Sequence, residues 1–248
     1  MGSIGSVTLV GAGSGGWDLI TVRGLRALSQ ASVVVYDNLI DRRLLRFAVN
    51  AVELVYAGKR PGKHAMTQDE INSILVDRAL KGHRVVRLKG GDPLTFGRGE
   101  EECDYVARMG IPCSIIPGVT SYNAAAARIG LPLAGREAAS NFIVTTGVRA
   151  GGARLDRDSI SKIIGSAHTA VFLMSTRILE TIVEEAGRKH GMPPPVLAVS
   201  KLGYPDEQIV WPDRFASERP PKIEPPSVIF VGGSVRWLEK RRGYYRLV

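Results

Sequence analysis

Histidine, cysteine and aromatic residues are all scarce in this chain, and each scarcity narrows what it can be. There are two cysteines, Cys103 and Cys113, and four histidines, His64, His83, His168 and His190. No Cys-x-x-Cys or His-x-x-x-His spacing occurs, so the sequence predicts no metal centre, and both cysteines read as free thiols. Aromatic residues make up 6% and do not interleave with the basic ones, which argues against a stacking platform for single-stranded nucleic acid. No apolar run approaches the ~18 residues that a membrane span requires, and the amino terminus has no basic-then-apolar leader. The expectation is a soluble, cytoplasmic protein with neither membrane nor nucleic acid as partner.

What is present is positive charge and glycine. A net charge of +9 asks for an anionic partner, because excess Lys and Arg face nucleic acid, an anionic surface or a polyanionic small molecule. The cations are spread along the chain: Arg42-Arg43 with Arg46, Lys59-Arg60 with Lys63, then Arg84, Arg87 and Lys89, and the tail Lys240-Arg241-Arg242. The length of 248 residues allows one large or two modest domains with a sizeable core.

The chain is organised around the stretch from Arg84 to Gly99. Arg84-Val85-Val86-Arg87-Leu88 reads as a strand, which breaks into Gly90-Gly91-Asp92-Pro93 before a helical pattern begins at Glu100. That is a strand emptying into a loop at its carboxyl end, the edge where open α/β sheets place ligands. The glycines admit close backbone approach, and the loop offers main-chain groups and one carboxylate to a small polar molecule.

Other segments repeat the α/β alternation. Ser6 to Val10 is a strand ending in Gly11-Ala12-Gly13-Ser14-Gly15-Gly16, and Asp18 or Thr21 caps the helix through Leu28. Ala31 to Asp37 is a buried strand with Asp37 at its exit. The Gly11-x-Gly13-x-x-Gly16 spacing, with an acid about twenty residues on, also fits a dinucleotide site, which keeps a nucleotide-binding module as the alternative. Leu39–Phe47 reads as a basic amphipathic helix, Thr67 with Glu70 as a capping box, and Glu100–Met109 as a helix. Past the Pro117-Gly118 turn, strands at Asn141–Gly147, Ala170–Met174, Val196–Ser200 and Ser227–Gly233 build a second sheet. The reading is two α/β domains, 1–118 and 119–248.

Taken in order, several stretches resemble the tetrapyrrole methyltransferase family: Val10-Gly11-Ala12-Gly13, Val34-Val35-Tyr36-Asp37, Gly58-Lys59-Arg60, Val85 through Pro93, Phe96-Gly97-Arg98-Gly99 and Ile116 through Ser121. The similarity is dense to about residue 135 and is greatest to the branch of the family that acts on uroporphyrinogen III. It implies a tetrapyrrole methylase fold with the cofactor cleft between the two α/β domains, and a homodimer. It implies S-adenosyl-L-methionine as donor, S-adenosyl-L-homocysteine as product, and methylation of the tetrapyrrole at C2 and C7 to precorrin-2, on the route to sirohaem and cobalamin. By motif position, Ser14, Gly90, Gly91, Asp92, Thr95, Thr120, Ser121, Met174 and Ala198 match cofactor-binding residues, while Asp37, Lys59 and Arg98 match catalytic ones. The basic residues Lys59, Arg60, Lys63, Arg87, Lys89 and Arg98 would then face the substrate's carboxylates.

The chain departs from the family in its first loop. Ser14 stands where the family has a proline, Gly16 where it has an acid, and Trp17 where it has a small or cyclic residue. This leaves a later precorrin, or another electron-rich ring, as an alternative acceptor.

Overall fold

A computed structural model describes residues 3–58, 66–217 and 221–244. The chain divides into two compact units, Met1–Ser121 and Tyr122–Val248.

In the first unit five strands, β1 (Ser6–Gly11), β2 (Val33–Tyr36), β3 (Glu53–Tyr56), β4 (Arg84–Lys89) and β5 (Cys113–Ile116), form one sheet in the order β3-β2-β4-β1-β5. Every pairing is parallel. Parallel neighbours need crossover connections, and α1 (Val22–Gln30), a 3-10 helix between β2 and β3, α2 (Gln68–Leu80) and α3 (Gly99–Arg108) supply them. Alternation sorts the side chains into two layers: Val7, Leu9, Val33, Val35 and Val85 meet Ile71, Leu75 and Val106, while Val10, Val34, Val86 and Leu88 meet Leu28 and Leu44. Because all strands run the same way, the exits of β1, β2, β4 and β5 share one edge.

Local signals set the helix starts. The Thr21 hydroxyl accepts the Gly24 N–H at 3.0 Å, and Thr67 and Glu70 form the capping box. The segment read as a helix over Leu39–Phe47 is instead a loop followed by a 3-10 helix, Arg42–Phe47. Asp37 and Asp41 each accept an N–H two residues on, from Leu39 and Arg43, and these local turns compete with helical bonding across Leu39–Asp41.

The cysteine reading is also corrected. Cys103 and Cys113 are joined in a disulfide. The turn after α3 brings the chain straight back into β5, which places the two Cα atoms 5.7 Å apart, within bridging range.

The second unit has a mixed sheet of β6 (Phe142–Thr146), β7 (Thr169–Leu173), β8 (Val196–Ser200), β9 (Gln208–Val210) and β10 (Ser227–Gly232), in the order β6-β7-β10-β8-β9. Strand β10 runs antiparallel to both β7 and β8. One face packs α5 (Arg157–Ser166) and α6 (Leu179–His190), and the other packs Ala125, Ala126 and Ile129 of α4 (Ser121–Ile129). Among the described residues, no helix is long and apolar enough to cross a membrane.

Candidate active site

Strands β4, β1 and β5 are neighbours, so the loops leaving them emerge side by side and meet backbone to backbone. Gly91 N–H donates to the Gly13 carbonyl at 2.8 Å, Gly13 N–H returns a bond to Gly91 at 3.2 Å, and Ala12 N–H donates to Lys89 at 2.8 Å. The closeness tolerates no side chain. A Cβ on Gly118 would lie 2.2 Å from the Gly91 oxygen, and one on Gly11 would lie 2.5 Å from the Gly118 nitrogen.

Asp92 ties this junction together. One carboxylate oxygen accepts the Leu94 N–H at 2.9 Å and the Thr95 hydroxyl at 3.3 Å, while the other accepts the Gly118 N–H at 3.0 Å. The carboxylate that the sequence offers to a ligand thus serves three donors of the protein, and main-chain groups are left as the loop's ligand-facing chemistry. Gly91 has a left-handed φ of 69°, and a Cβ built on it points at the Ser14 hydroxyl, 3.3 Å away, and the Ser121 nitrogen, 3.9 Å away. Ser14, Gly91 and the amino end of α4 are therefore brought together around a recess that a methyl group would enter. Thr120 is buried just before that helix, and Gly90 lies against Leu39, whose Cβ would be 2.6 Å from one on the glycine.

A second group of predicted residues gathers at the exit of β2. One Asp37 oxygen accepts the Leu39 N–H at 2.9 Å, and the other lies 3.8 Å from the Arg87 guanidinium. Behind it, Glu102 is fully buried. The same Glu102 oxygen accepts Lys89 Nζ at 2.8 Å and Gln68 Nε2 at 3.0 Å, and lies 3.5 Å from Arg87 Nε. Burial, reinforced by the adjacent Arg87 charge, pulls the Lys89 ammonium below the ordinary lysine value although Glu102 opposes the shift.

This corrects the expectation that Arg87 and Lys89 face substrate carboxylates. Both are buried, because alternation along β4 turns positions 87 and 89 inward, toward Glu102 on α3. Arg98 does stand exposed on the rim, with a left-handed φ of 58°, and its guanidinium is held by Glu101 at 2.7 Å. Lys59, Arg60 and Lys63 lie outside the described residues.

In the second unit, Met174 follows β7 with a φ of 52° and is 54% exposed. Ala198 sits mid-strand in β8 with no exposed surface, packed in the core with Val210, Phe215 and Ile229. Among the described residues, no group of three or more His, Cys, Asp or Glu side chains is placed to hold a metal ion.

Sequence reading missed one residue, Glu102. It entered only as part of the helical pattern beginning at Glu100, and its signal was the i,i+4 spacing to the buried Val106. Trp17 stacks on Phe47 with ring centroids 5.7 Å apart, anchoring the divergent first loop on the 3-10 helix. Asp41, at the start of that helix, holds Arg43, and this bond keeps the Asp41 carboxyl below the usual carboxylate range, with a smaller contribution from the Trp17 main chain.

Comparison with known proteins adds four findings. The family profile described as Tetrapyrrole (Corrin/Porphyrin) Methylases matches residues 6–215. A uroporphyrinogen-III C-methyltransferase of Methanocaldococcus jannaschii is 40% identical over 242 residues, which cover 96% of this chain and 99% of that protein. A siroheme synthase of Enterobacter is 39% identical, the match covering 95% of this chain and 51% of that protein, so the chain spans about half the synthase's length. The crystal structure of uroporphyrin-III C-methyl transferase from Thermus thermophilus, complexed with S-adenyl homocysteine, superposes with a TM-score of 0.75 at 37% identity, covering 94% of this chain and all of that one.

Proposed function

The chain belongs to the tetrapyrrole methylase family and has its two-domain α/β fold, and on that premise we propose that it is a uroporphyrinogen-III C-methyltransferase. In this reading it methylates C2 and C7 of uroporphyrinogen III, giving precorrin-2. The observation that carries the proposal is near full-length similarity to a relative of that name, together with the glycine-lined recess at the sheet edge. S-adenosyl-L-methionine, when bound, supplies the electrophilic methyl group.

The residues fit such a donor. A Cβ at Gly91 would crowd the Ser14 hydroxyl at 3.3 Å and lie 3.9 Å from the Ser121 nitrogen, so glycine here keeps that hydroxyl and the helix-terminal nitrogen open to a donor. Ser14, Gly90, Gly91, Asp92, Thr95, Thr120 and Ser121 are proposed to hold it, Asp92 by fixing the loops. Met174 and Ala198 are proposed as the second unit's contributions, Ala198 through its main chain because its side chain is enclosed.

Methyl transfer to carbon needs alignment and exclusion of water more than it needs a metal or a covalent intermediate. The ring carbon that gains the methyl leaves the macrocycle with a proton to shed. Asp37, half-buried beside Arg87, is proposed to accept that proton. Arg98, and Lys59 outside the described residues, are proposed to engage the substrate's carboxylates and assist this step. Assembly as a homodimer and a cytoplasmic location complete the proposal.

Trp17 favours one second reading. An indole stands in the first loop, stacked on Phe47, where the family carries a small residue, a change that suits a related tetrapyrrole as acceptor. Purified protein incubated with S-adenosyl-L-methionine and uroporphyrinogen III distinguishes the two. The expected result is a mass gain of two methyl groups and the fluorescence of the oxidised product. Intact S-adenosylhomocysteine binding without methylation would transfer the assignment to another tetrapyrrole, and no binding would overturn the donor site.

A further inference from the structure

The buried charges behind Asp37 call for a physical reason. Arg87 is 4% exposed, Lys89 6% and Glu102 0%. Replacing such a cluster by well-packed apolar residues is generally neutral or stabilising, so stability alone does not account for it. Its hydrogen bonding is also poor. Among the described residues, Arg87 Nε and Glu102 Oε2 have no hydrogen-bond partner, and the Arg87 bonds to the Val35 and Leu88 carbonyls are long at 3.5 and 3.3 Å. The guanidinium is held mainly by charge, between Glu102 at 3.5 Å and Asp37 at 3.8 Å.

We propose that Glu102 is a positioning residue for Asp37: shared by Lys89, Gln68 and Arg87, its carboxylate fixes the Arg87 guanidinium against the exit of β2. The inference rests on the reading of Asp37 as proton acceptor. The groups facing one another are Arg87 and Lys89 from β4, Glu102 from α3, Gln68 from α2 and Asp37 from the end of β2, with Arg98 farther off on the rim. Two cations balance two carboxylates. Removing Glu102 leaves Asp37 facing unbalanced positive charge, which makes it a weaker base; removing the guanidinium has the opposite effect. Gln68 extends the tie to the first residue of α2, so the same carboxylate also anchors the helix that follows Thr67.

The test compares Glu102→Gln, Arg87→Met, Asp37→Asn and the double variant Lys89→Met/Glu102→Gln, which removes one charge of each sign and guards against unfolding. Steady-state turnover across pH, S-adenosylhomocysteine affinity by calorimetry and melting temperature are measured for each. For Glu102→Gln, kcat is expected to fall about tenfold with donor affinity kept within about twofold, and the acid limb to move down by about half a pH unit. Arg87→Met moves that limb upward. The double variant returns the limb toward wild type while kcat stays low, because charge is rebalanced but the guanidinium is no longer fixed. Unchanged kcat in both Glu102 variants, or losses that track melting temperature and donor affinity with no movement of the acid limb, would overturn the inference. Wild-type turnover in Asp37→Asn would remove the proton-acceptor assignment and this inference with it. An inactive Asp37→Asn beside a normal Glu102→Gln would remove the inference alone.

Discussion

The Asp92 carboxylate accepts the main-chain N–H of Gly118 at 3.0 Å, across a separation of 26 residues. That bond joins the loop leaving β4 to the loop leaving β5. A charged acceptor bonded to a main-chain donor is worth about 1.5–3 kcal/mol, enough to set how two loops face each other. Asp92→Ala removes the Gly118 contact along with those to Leu94 and Thr95. The expected outcome is S-adenosylhomocysteine affinity weakened about tenfold or more, read by calorimetry. Unchanged affinity would mean that the knot does not shape the recess.

Two glycines a short distance apart are predicted to fail in different ways. Alanine at Gly91 must adopt a positive φ and presses its methyl to 3.3 Å from the Ser14 hydroxyl, which can give by a few tenths of an ångström, but the methyl fills the recess. Its stability cost is about 1 kcal/mol, and its main effect is loss of donor binding. Alanine at Gly118 places a methyl 2.2 Å from the Gly91 oxygen, so the loops must part. The expected cost is about 2–3 kcal/mol, visible as a lowered melting temperature even without ligand. Equal melting temperatures for the two variants would contradict the geometry.

The Asp41–Arg43 pair gives a pH dependence of definite sign. The Asp41 carboxyl titrates lower in the folded chain than its ordinary value of 3.8, chiefly because it accepts from the Arg43 side chain. The folded state therefore gives up this proton more readily than the unfolded one. The resulting stabilisation is complete above the ordinary value and drains away as pH falls through the depressed one. Melting temperatures taken from about pH 6 to about pH 3 should fall less steeply in Asp41→Asn than in the parent. Parallel slopes would exclude the contribution.

The sheet-edge loops were legible because glycine, proline and aspartate act locally: Gly90-Gly91-Asp92 and Tyr36-Asp37 stand at strand exits in the sequence and in the fold. The burial of Arg87 and Lys89 was not. In sequence the two cations were expected to face a substrate's carboxylates, and only the fold shows Glu102, on the helix packed behind β4, taking up both. The disulfide escaped for a similar reason, since a ten-residue spacing says nothing until the helix is seen to fold back on β5. Over Leu39–Asp41, hydrophobic periodicity lost to two aspartates whose side chains accept the main-chain N–H groups two residues on.

The bridge from Cys103 to Cys113 closes a small ring at one corner of the first sheet. Heat or urea can melt the strands and helices around it, yet the end of α3 and the start of β5 stay tethered. An oxidised chain collapsing from the random state thus sets out with one tertiary neighbourhood already chosen, whereas a reduced chain must find it by diffusion.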